Sequence, residues 1–129
     1  MNKLDKESII GISALLVHAA NIDEIYSNHE KDLVKDFIKS YLKDEDASII
    51  LKRAEEIESN SNQLLNYTNI IKKNSMEIKK DIIEHLWKVI ISDNTVDQYE
   101  SNLMRRICGL IYFPDKECAE IKLKLSNSK

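Results

Sequence analysis

Only two glycines and one proline stand in 129 residues, and nothing else in the sequence constrains the fold as tightly. Glycine lets a backbone take positive φ or approach another group closely, and proline fixes turns. GxGxxG and Walker-type loops need several glycines where backbone cradles phosphate, so nucleotide-binding folds of those kinds are excluded. What such a chain builds readily is uninterrupted helix, and its length suits one domain with one sizeable core.

Apolar residues recur at helical spacing in seven segments. The first runs from Lys3 to Ile22, with Ile9, Ile12, Leu16 and Ala19 or Ala20 on one side. The second runs from Asn28 to about Lys43, with Leu33, Phe37 and Tyr41 in line. The third follows the acidic cluster Asp44, Glu45 and Asp46, whose charges suit the positive end of a helix dipole, and carries Ile50, Ala54 and Ile57. The polar run from Glu58 to Asn62 then breaks the chain, before a bridging helix over about 62–73 with Leu64, Tyr67 and Ile71. Asn74 and Glu77 have capping-box spacing and open the fifth helix, which carries Ile78, Ile82, Leu86, Val89 and Ile90. The sixth covers Gln98 to Tyr112 and the seventh Asp115 to about Leu125, with Pro114 ending one or starting the other. Isoleucine is abundant, yet period-2 alternation is absent, so the predicted fold is all-α: one bundle of about seven helices over residues 1–129.

The stretch from Ile9 to Ala20, behind Lys3 and Lys6, has the look of a signal-peptide core. Asp5 and Glu7 spoil its basic flank, Gly11, Ser13 and His18 interrupt it, and it is too short to span a bilayer. It is expected to be a structural helix. Cys108 and Cys118 lack CxxC spacing and the density of a disulfide scaffold, which points to reduced, buried thiols in a cytoplasmic protein.

Two segments match when one is shifted by 70 residues: Asp23 to Glu30 overlays Asp93 to Glu100. The match extends outward, pairing Ile12 with Ile82, Leu16 with Leu86, Ala19 with Val89, Leu33 with Leu103, Val34 with Met104 and Phe37 with Ile107. This is the pattern of a duplicated three-helix unit, with pseudo-repeats at about 8–57 and 78–125. Ser27 with Glu30, and Asp97 with Glu100, have capping-box spacing, and Tyr26 and Val96 are placed as hydrophobic staples. Capping leaves Asp23 and Asp93 unexplained, because each falls where a helix ends and an acid opposes the dipole.

Asp, an apolar residue three later and Glu seven later form the second half of an EF-hand loop. Ala19, Asn21, Val89 and Ile91 occupy the places of the missing first-half ligands, so a true EF-hand is rejected. A weaker oxygen site for Ca²⁺ or Mg²⁺ would draw on Asp93, Asp97 and Glu100, and secondarily on Asp23 and Glu30; helix capping is the preferred reading of these acids.

Leu86-Trp87-Lys88-Val89, Asp93, Asp97, Tyr99-Glu100, Leu103, Arg105-Arg106-Ile107 and Gly109-Leu110 resemble the tellurite-resistance TerB-like family, in its short uncharacterised bacterial branch. Ala20 to Glu30 resembles the family's first half-motif more loosely. Glu24 and Asn94 stand where that family usually has glycine, and Ser92 where it has alanine. The resemblance implies a small helical protein in a stress or tellurite-resistance setting, with acidic loops discussed as metal sites.

A formal charge of −3 and diluted basic doublets give no nucleic-acid footprint. The doublets Lys72-Lys73, Lys79-Lys80 and Arg105-Arg106 read as solvated helix faces, and one of the two arginines is expected to pair with an acid of the Asp93–Glu100 turn. His18 and His85 lie along apolar helices as packed or boundary residues, and His29 is expected to be exposed. Neither Cys108 nor a zinc set of Cys108, Cys118 and a histidine has the spacing that marks catalysis or metal. The expectation is a non-enzymatic interaction scaffold without cofactor or membrane insertion, using the groove between the repeats, or an exposed aromatic such as Trp87 or Tyr99, to hold an unidentified protein partner.

Overall fold

The structure, a computed structural model, describes residues 5–21, 28–43, 45–60, 64–91 and 98–127, with side chains for all of these but 64–65, 98–100 and 126–127. They form seven helices and no strand: α1 (Lys6–Ala20), α2 (Asn28–Tyr41), α3 (Ala47–Asn60), α4 (Leu64–Lys72), α5 (Met76–Ile91), α6 (Gln98–Leu110) and α7 (Asp115–Asn127). The all-α expectation holds. Among the described residues no helix is long and apolar enough to cross a membrane.

α1 is the centre of the bundle. Every residue from Ile9 to Val17 is buried, Gly11 and Ser13 included, so the helix has no solvent face at its middle. It packs against α2, α3, α4 and α5. That position explains the apolar run that looks like a leader core. At Gly11, a Cβ would stand 2.5 Å from Ile70 Cδ1, which is how closely α4 approaches. α1 begins where the Asp5 carboxylate accepts from the Ser8 amide at 2.7 Å.

α5 is the second heavily buried helix, with Ile78, Ile82, Ile83, Leu86, Trp87, Val89, Ile90 and Ile91 inside. It packs on α1 and α2 to one side and on α7 to the other. Trp87 is only 3% exposed, so it is a core residue and no surface aromatic. Residues 70 apart share their burial: Ile12 and Ile82, Leu16 and Leu86, Val34 and Met104, Phe37 and Ile107 are all inside, and Leu33 and Leu103 are half-buried.

Several helix ends differ from the sequence expectation. α3 continues through Glu58, Ser59 and Asn60, which were expected to break the chain. Its start is the Asp46 cap, whose carboxylate accepts from the Ser48 amide. α5 is capped by Ser75, whose hydroxyl accepts from the Ile78 amide at 3.3 Å. Asn74 is instead spent on closing α4: its Nδ2 donates to the Ile70 carbonyl at 2.8 Å. α6 ends at Leu110, two residues before Tyr112, and α7 runs two residues past Leu125. Lys79 is buried, against its reading as part of a solvated doublet.

Candidate functional site

Among the duplicated acids, Glu30 lies in the first turn of α2 and is only 5% exposed. An acid there is favoured by the free amides and the dipole of α2, as a capping residue should be. Asp23, Asp93 and Asp97 lie outside the described residues, and Glu100 lies in α6 with its side chain outside them. Arg105 and Arg106 are both exposed, while the acidic turn expected to pair with one of them is likewise outside the described residues.

The end of α1 beside the first acidic turn is held by a residue the sequence reading missed. Glu58 of α3 accepts from Asn21 Nδ2 at 3.2 Å and meets His18 Nδ1 at 3.3 Å. Asn21 is also the C-cap of α1, so its amide bonds back to the last turn while its side chain ties that turn to α3. Glu58 belongs to the polar run that reads as a chain break, and only the approach of α3 to α1 gives it partners.

A second polar junction joins α2 to α5. The Tyr41 hydroxyl donates to Asp81 Oδ2 at 2.6 Å, and Asp81 Oδ1 lies 3.7 Å from His85 Nε2. The His85 ring meets Phe37 edge-on at 5.1 Å. Burial holds the His85 pKa below that of an ordinary imidazole; the charges of Asp81 and Asp36 act against this and that of Lys88 acts with it. Burial, and then the bond to Asp81, push the Tyr41 phenol up. A neutral imidazole, a phenol that keeps its proton and an occupied carboxylate make a joint between helices. His18 and His85 are thus packed boundary residues, and His29 is exposed.

From this junction a groove follows α5. Its first part, a cavity of about 440 Å³, is lined by Tyr41, Ile78 and Asp81 together with Glu77, Lys80 and Glu84. The last three also line the next part, about 600 Å³, which reaches across to α7 at Glu117, Glu120, Ile121 and Lys124. Met76, 46% exposed, lies at its start. The groove therefore runs along α5 from its contact with α2 to its contact with α7.

Cys108, Cys118 and a histidine, which lack the spacing of a zinc set, do not converge among the described residues. Cys108 and Cys118 do meet, but the three histidines are elsewhere: His18 on Glu58, His85 on Asp81 and Phe37, and His29 at the surface of α2. Among the described residues no three His, Cys, Asp or Glu side chains converge to hold a metal ion.

A family model described as "Tellurite resistance protein TerB" matches residues 10–123. No curated protein and no solved structure matches the chain.

Proposed function

The chain belongs to the tellurite resistance protein TerB family, and from that premise we propose that it is a non-catalytic helical interaction domain that holds a partner protein in the groove along α5. The observation that carries this reading is the groove's composition. An apolar floor at Met76 and Ile121 is flanked by four acids, Glu77, Glu84, Glu117 and Glu120, against two lysines, Lys80 and Lys124. Apolar floor with charged rim is the ordinary anatomy of a recognition surface. The excess of acid favours an amphipathic helix of the partner with basic residues flanking its apolar face. A cytoplasmic stress-response setting is in keeping with the family and with two cysteines that are free and buried.

The test is recovery from the native host with the full chain as bait, compared with a Glu84→Lys, Glu120→Lys double variant. Both side chains lie at the rim, so the variant should keep the wild-type melting temperature. A partner held by this groove is lost from the variant by about tenfold or more, as expected for reversed rim charges. A partner recovered equally by both baits sinks the groove reading.

A further inference from the structure

Cys108 and Cys118 are ten positions apart in sequence and meet where α5, α6 and α7 join. The turn between them is fixed. The Phe113 amide donates to the Cys108 carbonyl at 2.8 Å, the Tyr112 amide to the Gly109 carbonyl at 3.4 Å, and the Cys118 amide to the Pro114 carbonyl at 3.1 Å. α7, which has Cys118 in its first turns, is thereby folded back, and the two thiols are within hydrogen-bond reach of each other.

The two sulfurs are not equivalent. The Cys108 thiol donates to Cys118, and Trp87 Nε1 donates to Cys118 Sγ at 3.3 Å. A sulfur that receives two hydrogen bonds near a helix N-terminus is stabilised as thiolate. Cys118 also lines a cavity of about 560 Å³ that has Arg105, Lys116 and Lys122 among its walls, with Asp115 as the opposing charge. Cys108 is fully buried behind it. The hydrogen bond from Cys108 draws the Cys118 pKa down to about 7, with burial and Asp115 acting against it and Lys122 with it. The same bond, and then burial, push Cys108 up.

We propose that Cys118 and Cys108 are a peroxide-oxidisable pair, in which Cys118 attacks a hydroperoxide entering through this cavity and Cys108 resolves the product to an intramolecular disulfide. The Cys118 sulfur supplies the electron pair, its S–O bond forms, and the O–O bond breaks. The leaving oxygen takes up the proton that Cys118 released on ionising, giving an alcohol, or water from hydrogen peroxide. Cys118 is now a neutral sulfenic acid, and the charge that held the proton on Cys108 is gone. The Cys108 sulfur attacks the sulfenic sulfur, the S–S bond forms, the S–O bond breaks, and hydroxide leaves with the Cys108 proton as water. Two thiols lose two electrons and two protons; one hydroperoxide is reduced. The product cross-links α6 to α7 and takes from the Trp87 indole its acceptor, so oxidation writes itself on the tryptophan.

The experiment uses the reduced full chain. After hydrogen peroxide treatment, intact mass should show a monomer lighter by two hydrogens, with both thiols gone and Trp87 emission changed. In Cys108→Ser, dimedone should trap a sulfenic acid on Cys118. In the untouched wild type, a limiting alkylating agent should modify Cys118 about tenfold or more faster than Cys108, as thiolate fraction dictates. This last measurement does not depend on any variant folding. The proposal is overturned if both thiols survive peroxide that fully oxidises free cysteine, if only intermolecular dimers form, or if Cys108 is alkylated first.

Discussion

Tyr112 has φ 60°, the left-handed conformation that favours glycine, and is 69% exposed. It occupies the position after the end of α6 where the bonds of Phe113 and Tyr112 back to Cys108 and Gly109 form a Schellman motif. A Cβ there costs about 1–2 kcal/mol. The Lys72 ammonium, 5.3 Å from the ring centroid, returns part of this, about 0.5–1 kcal/mol at an exposed site. Tyr112→Gly is therefore expected to stabilise the protein by about 0.5 kcal/mol, read from the urea midpoint, and by more in a Lys72→Ala background where no ring contact is lost. A loss of stability in both backgrounds would show that the ring packs more than it strains. The place of this turn was hidden in the sequence because the residue that signals it is missing; Gly109, three positions earlier, has an ordinary backbone and open space around it. Asn74 and Ser75 were ambiguous for a similar reason. Both can cap, and the choice fell to Ser75 because Asn74 was taken by the Ile70 carbonyl.

Each element was legible through its own periodicity, whereas the joints between elements were not. Ile82, Leu86 and Val89 sit inside as a 3.6-residue repeat requires, and so do Val34, Phe37 and Ile38. Glu58, Asp81 and Tyr41 look like any surface polar residues until α3 reaches α1 and α5 reaches α2. Of the two polar joints, the one between α1 and α3 stands apart from the groove, and the one between α2 and α5 forms its start. The α2–α5 joint carries a pH signature. Burial lowers the His85 pKa in the folded chain, against 6.5 when unfolded. Below 6.5 the unfolded chain takes up a proton that the folded chain refuses, so this contribution is full above that pH and is lost as pH falls through it. Urea unfolding between pH 7.5 and 5.5 should show falling stability, at a limiting slope of about 1.4 kcal/mol per pH unit for one proton. His85→Gln should remove that slope. An unchanged slope in the variant would mean that the charges of Asp81 and Asp36 offset burial, so that His85 takes up its proton alike in the folded and the unfolded chain. Tyr41→Phe should weaken the joint at every pH in this range, because its phenol keeps its proton throughout.

At the scale of the whole molecule, the burial of α1 makes the rest of the bundle depend on one helix. α1 packs on α5 as well as on α2, α3 and α4. One continuous apolar cluster takes in residues of every helix, from Ile9 to Ile121. Independent unfolding of the halves would expose both faces of that contact without gain. Leu16 tests this from a distance: it is fully buried in α1, whereas the lone tryptophan, Trp87, lies in α5 against Cys118 of α7. Leu16→Ala should cost about 2–5 kcal/mol, the range for a truncated core leucine. If the bundle unfolds as a unit, the Trp87 fluorescence midpoint in urea should move by as much as the far-UV circular dichroism midpoint, and the two curves should superimpose. A Trp87 transition that stays at the wild-type midpoint while the dichroism splits would mean that α5, α6 and α7 stand without α1. In that event the thiol pair, on α6 and α7 against Trp87 of α5, and the part of the groove between α5 and α7 would survive the loss of α1. Superimposed curves would instead make both sites answerable to any change in α1.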